Sequence, residues 1–357
     1  MNKPDLLSMD IPALTALLKE WGEPGYRSRQ LFAWLQQRGV ADFASMSDLP
    51  AGLQKRLREE TLVSVPLIAQ RQDGADGDTV KLLLTLADGE QIETVLMLYG
   101  RQNSRDRATC CVSTQSGCSM GCVFCASGLF KHPRNLSAGE MIIQVLATAA
   151  ISRELGYSGI SNVVFMGMGE PLANPANLKL AIELLNNELG QNIGQRRTTV
   201  STCGLVPQIY KLADWGMQIG LAVSLHAAGQ EKRSRLMPVA ARYSLPELLE
   251  ACRYYRRSTG RRVTMEYALF AGVNDSARDA EQLAGLLAGE DILVNIIPAN
   301  DVAEAGFYAS DREIIKMFCD ILRRRGVEAA LREKRGADID AACGQLRGKK
   351  PEVRKRV

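Results

Sequence analysis

The sequence predicts an α/β protein built on a partial (β/α)6 barrel, with a small N-terminal helical module and a β-hairpin before it and a basic extension after it. Three observations predict this. Between residues 109 and 325, segments of strand character alternate with segments of helical periodicity. The first hundred residues lack that alternation. Hydroxyl-to-carboxylate spacings mark helix starts independently of hydrophobicity. Six β/α units are too few to close an eight-stranded barrel, so an open barrel competes with a flat doubly wound sheet.

Taken in order, residues 26–35 place apolar groups at helical spacing, and Leu49-Pro50 introduces a second helical run over 51–61. Segments 79–86 and 91–98 flank the turn Ala87-Asp88-Gly89 and read as a hairpin. A boundary follows near residue 100. Strands are expected at 109–114, 161–166, 196–202, 218–225, 262–270 and 291–297. Helices are expected at 137–155, 175–188, 206–214, 245–258, 276–288 and 310–325, and a seventh strand at 327–332. Ser137 with Glu140, Ser244 with Glu247 and Ser310 with Glu313 have the spacing of capping boxes. The expected division is 1–100, 101–333 and 334–357.

With 46% hydrophobic and 24% charged residues in 357, neither a disordered nor a fibrous chain is expected. Nine cysteines are an odd number in a chain far too long for a disulfide-stapled scaffold, which predicts a reduced, cytoplasmic protein with working thiols. The opening MNKPDLLSMD lacks the profile of a signal peptide, and no window approaches eighteen consecutive apolar residues, so no membrane is expected. Net charge is +4, yet residues 321–357 hold twelve Lys or Arg against five Asp or Glu, so basic charge collects there. Such runs contact phosphates or simply face solvent.

After the first barrel strand comes Cys118-Ser119-Met120-Gly121-Cys122-Val123-Phe124-Cys125, three thiols in one short loop. Structural zinc takes four ligands, usually from two pairs, and neither His132 nor His226 completes one locally. Iron–sulfur clusters are normally held by four thiolates; three leave one iron of a cubane open to chelate a small molecule. The alternative is three small buried hydrophobes, which a Ser-, Gly- and Met-containing loop does not favour. Other polar groups fall at strand ends, where ligands sit in α/β folds. These are Gly169 and Glu170 in Met166-Gly167-Met168-Gly169-Glu170-Pro171, Ser201 in Ser201-Thr202-Cys203-Gly204, and Ser224, Leu225 and His226 in sequence. Glu170 can accept from an ammonium and Asn300 can bond a ribose or carboxylate, while His226 reads equally as ligand or structural histidine and Asn295 as structural. Cys343, in Ala341-Ala342-Cys343-Gly344, has little bulk around it and reads as a reactive thiol on a loop or as a plain small residue. Cys252 and Cys319 fall on apolar helix positions and read as core.

The C-x3-C-x2-C loop, with Phe124 before its third cysteine, resembles the signature of the radical S-adenosylmethionine (SAM) superfamily. Together with Cys111, Met166-Gly167-Met168-Gly169-Glu170-Pro171, Ser224-Leu225-His226 and the segment around Cys343, nearly the whole chain resembles the radical SAM RNA adenine methyltransferases. The resemblance implies a radical SAM barrel, one 4Fe-4S cluster on Cys118, Cys122 and Cys125, and SAM bound by Gly169, Glu170, Ser201, Ser224, Leu225, His226 and Asn300. It implies methylation of carbon 2 of an adenine in 23S rRNA, and in some members of tRNA, with a reduced flavodoxin- or ferredoxin-like electron donor. Cys343 would carry a methyl group from one SAM, a second SAM would supply a radical, and Cys111 would release the product by forming a disulfide with Cys343. Glu93 would accept a proton; its bland reading is a solvated strand residue. A relative that methylates carbon 8 is the nearest alternative, and a non-catalytic iron–sulfur RNA-binding protein the more distant one. Pro238-Val239-Ala240 and the loop 126–130 depart from the commoner family pattern.

Overall fold

A computed structural model describes residues 3–100, 106–129, 133–299, 306–333, 335–341 and 344–346. The chain begins with three helices, α1 (Ile11–Glu20), α2 (Tyr26–Phe32, continued by a π-helical turn to Gln37) and α3 (Ala51–Glu60). Asp10 caps α1 by accepting from the Ala13 amide at 2.8 Å, and Pro12 sits in the first turn, where its missing N–H costs nothing. Leu14, Leu18, Leu31, Phe32, Leu53 and Leu57 are buried between these helices. The module docks at α4 (Ala138–Glu154), where the Gly139 amide donates to Ser8 Oγ at 2.9 Å. A Cβ at Gly139 would lie 2.7 Å from an Asp5 carboxylate oxygen, so only glycine lets the surfaces meet.

One ten-stranded sheet runs through the rest in sequence order. Its first four strands, β1 (Leu67–Asp73), β2 (Thr79–Thr85), β3 (Gln91–Tyr99) and β4 (Arg107–Cys111), are antiparallel. From β4 onward the strands are parallel: β5 (Asn162–Phe165), β6 (Thr198–Thr202), β7 (Gly220–Ser224), β8 (Val263–Leu269), β9 (Ile292–Pro298) and β10 (Ala329–Leu331). Among the described residues the sheet ends do not pair, so the six parallel strands β4–β9 form the open barrel expected, with β10 as the seventh parallel strand. Helices α5 (Pro175–Asn186), α6 (Val206–Ala213), α7 (Gln230–Leu236), α8 (Leu245–Thr259), α9 (Ala277–Leu286) and α10 (Arg312–Arg324) complete the crossovers with α4.

Two expectations are corrected. The hairpin is not isolated: β1 pairs with β2, and β3 pairs with β4, Val95 opposite Cys111, so the antiparallel strands continue into the barrel sheet. The boxes at Ser137 and Ser244 form, but Ser310 does not cap α10. Asp311 takes the N-cap position, and Ser310 Oγ donates instead to Asp275 at 2.7 Å. A third box does form at α9, between Ser276 and Asp279. Among the described residues no helix is long and apolar enough to cross a membrane.

Candidate active site at the strand ends

The three-cysteine loop leaves β4 and is held by main-chain bonds: Cys118 N to Ser127 O at 3.0 Å, Cys125 N to Cys122 O at 3.1 Å and Val123 N to Leu236 O at 3.1 Å. Cys118, Cys122 and Cys125 are half-buried and line one cavity of about 170 Å3. Burial pushes the Cys118 thiol up to about 12 and raises the Cys122 thiol as well. Ligation requires thiolates, so metal binding here would release protons. Among the described residues no three His, Cys, Asp or Glu side chains converge as ligands of a single ion must. A cubane cluster instead takes each thiolate at a different iron, and three thiols spaced around one cavity suit it.

The same cavity is lined by Gly169, Glu170, Ser201, Ser224 and His226. Glu170 is buried, and its carboxylate accepts from Leu172 N at 3.0 Å and Cys203 N at 2.7 Å. Burial raises its pKa in spite of those bonds. Ser201 Oγ donates to Phe165 O at 2.7 Å, which leaves its oxygen able to accept. Gly169, at φ +99°, is required by its neighbour rather than by a ligand: a Cβ there would lie 2.6 Å from Gln115 Cβ. Leu225, between Ser224 and His226 in sequence, lines neither cavity: its side chain is in the core, its amide donates to Glu266 O at 2.9 Å and its carbonyl accepts from Ala227 N at 2.7 Å.

His226 is structural and lines the cavity as well. Its Nδ1 accepts from Ala268 N at 2.9 Å, its carbonyl accepts from Asn274 Nδ2 at 2.7 Å, and its backbone is left-handed at φ +54°. Burial, reinforced by the Arg233 charge, holds its pKa down near 3, so the ring is neutral. Phe124 meets that ring edge-on at 4.8 Å and packs against Phe270 at 5.1 Å. An apolar aromatic wall therefore faces the polar strand ends.

A larger cavity of about 510 Å3 occupies the barrel interior. Cys111, at the end of β4, lines it, as do Arg107, Arg196, Arg197, Arg332 and Arg335. The Arg107 and Arg335 guanidiniums both lie over the Tyr99 ring, 3.8 and 4.2 Å from its centroid. Arg196 and Arg197 are exposed and make no ion pair among the described residues. Glu266, which accepts from Asn295 at 2.9 Å and pairs with Arg332 at 3.5 Å, lines both cavities.

Glu93 is not solvated. It is buried on β3 and pairs with Lys81 at 3.3 Å, because both faces of that strand are covered. Lys81 also donates to Asp340 O at 3.2 Å. The C-terminal segment is thus tied to β2 at one end. At the other, Ala126 N donates to Gly344 O at 2.8 Å and Ser127 Oγ donates to Leu346 O. Cys343 and Asn300 lie outside the described residues. The residues beside them do not: Ala341 lines the larger cavity, and Gly344 and Ala299 line the smaller one. The eight described cysteines form no disulfide with one another.

Sequence reasoning missed Arg233 and left Cys203 unassigned; both lie at this site. Cys203 lines the smaller cavity, and burial raises its pKa well above that of an ordinary thiol. The charged run Gln230-Glu231-Lys232-Arg233 resembles a solvated helix face, and nothing in it signals that Arg233 turns inward.

A sequence model of the radical SAM superfamily matches residues 112–284, and one of a ribosomal RNA large subunit methyltransferase N-terminal domain matches residues 4–63. A probable dual-specificity RNA methyltransferase of Heliobacterium modesticaldum is 49% identical over 345 residues, covering 96% of this chain and 89% of that protein. One from Clostridium perfringens is 45% identical and covers 96% of each. Among solved structures, a radical SAM methyltransferase from Sphaerobacter thermophilus superposes with a TM-score of 0.92 at 45% identity, covering 97% of this chain and 100% of that one.

Proposed function

The chain belongs to the radical SAM family of dual-specificity RNA methyltransferases, and from that premise we propose that it methylates carbon 2 of an unpaired adenine in 23S rRNA, with an adenine beside the tRNA anticodon as its second target. It is a SAM-dependent RNA methyltransferase of the radical SAM class, which uses a 4Fe-4S cluster and SAM. Carbon 2 of adenine is not nucleophilic, so displacement at a sulfonium methyl does not reach it. When bound, the cluster supplies the electron that makes SAM a source of radical chemistry as well as of methyl groups.

Each residue of the chain then has a task. Cys118, Cys122 and Cys125 hold the cluster. Glu170 receives the ammonium of SAM; Gly169 offers main-chain groups, Leu225 offers the second lone pair of its carbonyl, and Ser201, Ser224, His226 and Asn300 complete the pocket. The Cys343 thiolate takes the methyl group that is passed on to the base. Glu93, positioned by Lys81, accepts the proton that leaves carbon 2. Cys111 frees the product by attacking the Cys343 sulfur: an S–S bond forms, the C–S bond to the product carbon breaks, and that carbon keeps the electron pair and takes up a proton.

The observation that carries this reading is the crossing of the C-terminal segment between two cavities. Ala341 borders the one that holds Cys111, and Gly344 borders the one that holds the cysteine loop. The described residues that flank Cys343 in sequence therefore border both cavities. The larger cavity is within the usual range for a small-molecule-sized site, and the exposed Arg196 and Arg197 beside it offer charge to phosphates. A base must leave its stack to enter such a cavity, which favours a loop or an immature RNA. Thiols that cycle through a disulfide need reducing surroundings, hence the cytoplasm, and a reduced flavodoxin- or ferredoxin-like protein as the one-electron donor.

The test is anaerobic incubation of reconstituted protein with reductant, SAM and a 23S rRNA fragment or tRNA, followed by digestion and chromatography–mass spectrometry against 2- and 8-methyladenosine standards. 2-Methyladenosine is expected. 8-Methyladenosine, or no methylated adenosine, overturns the reading.

A further inference from the structure

Arg233, on α7, is wholly buried. One guanidinium nitrogen, Nη2, donates to Cys203 O at 2.7 Å and to Ser224 O at 3.3 Å, joining the ends of β6 and β7. Its Nε and Nη1 are buried with no hydrogen-bond partner. The other charges of this helix are matched by carboxylates: Arg235 by Glu231 and Lys232 by Asp279. No carboxylate pairs with Arg233 among the described residues. A buried cation without an anion is strongly unfavourable, so the fold that keeps it has an anion to offer it.

Its neighbours in charge are the neutral His226 and the thiols Cys203 and Cys122. The cysteine loop lies against the end of α7: Val123 N donates to Leu236 O at 3.1 Å, and Cys122 packs on the hydrophobic cluster formed by Cys203, Leu236 and Met237. Cys122 belongs to the loop that holds the cluster. A 4Fe-4S core on three thiolates carries net negative charge, and that charge grows by one on reduction. We propose that Arg233 is the positioning residue that sets the reduction potential of the cluster, its buried guanidinium serving as the counter-charge beside the Cys122 thiolate. A fixed positive charge in a site shielded from water favours the more negative, reduced state. The two unpartnered nitrogens, Nε and Nη1, are the donors through which it acts, and the bonds of Nη2 to two strand-end carbonyls hold it there. This inference rests on the reading that Cys118, Cys122 and Cys125 bind a cluster.

The test uses anaerobically reconstituted wild type, Arg233→Met and Arg233→Lys. Iron and sulfide are counted per chain, the potential is measured by a mediated titration followed by electron paramagnetic resonance, and SAM affinity is measured on the oxidised protein. Arg233→Met should lower the reduction equilibrium constant at least about tenfold, or about 59 mV for one electron, with SAM affinity unchanged. Arg233→Lys, which keeps the charge, should stay within a few-fold of wild type. An unchanged potential in Arg233→Met overturns the proposal, as do equal shifts in both variants, or weaker SAM binding at constant potential, which would assign the guanidinium to the SAM carboxylate. If Arg233→Met holds no cluster, full loading and a wild-type potential in Arg233→Lys support the proposal and loss of the cluster in both overturns it. A wild type that binds no 4Fe-4S cluster would refute the cluster reading itself.

Discussion

The Lys81–Glu93 pair links the proposed proton acceptor to the stability of the whole sheet. Its charges lie 3.3 Å apart, and the two side chains are 7% and 8% exposed. At an effective dielectric of about 20, unit charges at that separation attract by about 5 kcal/mol. Desolvation of both ions offsets part of this, and removing one partner of a buried pair costs about 3–5 kcal/mol. Glu93→Gln is expected at the low end, about 3 kcal/mol, because Lys81 keeps its bond to the Asp340 carbonyl. For 357 residues the entropy of unfolding is about 0.75 kcal/mol per degree, so Tm should fall by about 4 °C. The assay is a double-mutant cycle of wild type, Glu93→Gln, Lys81→Met and the double variant, by urea unfolding of the metal-free protein. A coupling energy of about 2 kcal/mol or more is expected. One below about 0.5 kcal/mol, the value of an exposed pair, would refute the reasoning. The double variant should recover most of the stability but none of the methylation, which separates the proton-accepting role of Glu93 from its part in folding.

Cys343→Ala should abolish methylation, and Cys111→Ala should trap a covalent protein–RNA adduct that survives denaturing electrophoresis; full methylation by either variant would sink the two-thiol mechanism. Replacing both Arg196 and Arg197 by Gln should reduce the slope of log affinity for single-stranded RNA against log salt by about 1.4, while SAM cleavage without RNA stays unchanged. An unaltered slope would remove these arginines from the RNA path. His226 should make stability depend on pH: its folded pKa, near 3, lies below its unfolded value, so the unfolded state binds a proton first. Its contribution is complete above about pH 6.5 and falls by up to about 1.4 kcal/mol per unit toward pH 3. Urea midpoints between pH 7 and 5 should fall less steeply in His226→Gln, and equal slopes would show that another group carries the effect.

The barrel was legible because its signals are local. Period-2 and helical stretches alternate, and Ser137–Glu140 and Ser244–Glu247 announce helix starts within four residues. The cysteine loop was legible for the same reason. What escaped the sequence depends on distant partners. β1 lacks alternation because Leu67 and Ile68 are exposed. The α9 box uses Asp279 where a Glu or Gln is the usual third residue, and Ser310 is drawn away by Asp275 from another loop. Glu93 looked solvated because alternation assumes one wet face, whereas β3 is covered on both. Arg233 could not be found in a charged heptapeptide: its partners are carbonyls of two other strands.

The bond from Ser127 to Leu346 spans 219 residues of chain. At roughly 5–20 residues per second, a ribosome needs on the order of 10–40 s to make that stretch. During synthesis the cysteine loop therefore leaves the exit tunnel long before the residues that anchor Ala126 and Ser127 exist. The loop and its anchor can meet only once residues 344–346 have been made. A chain interrupted before residue 344 would present the three thiols of the loop without that brace.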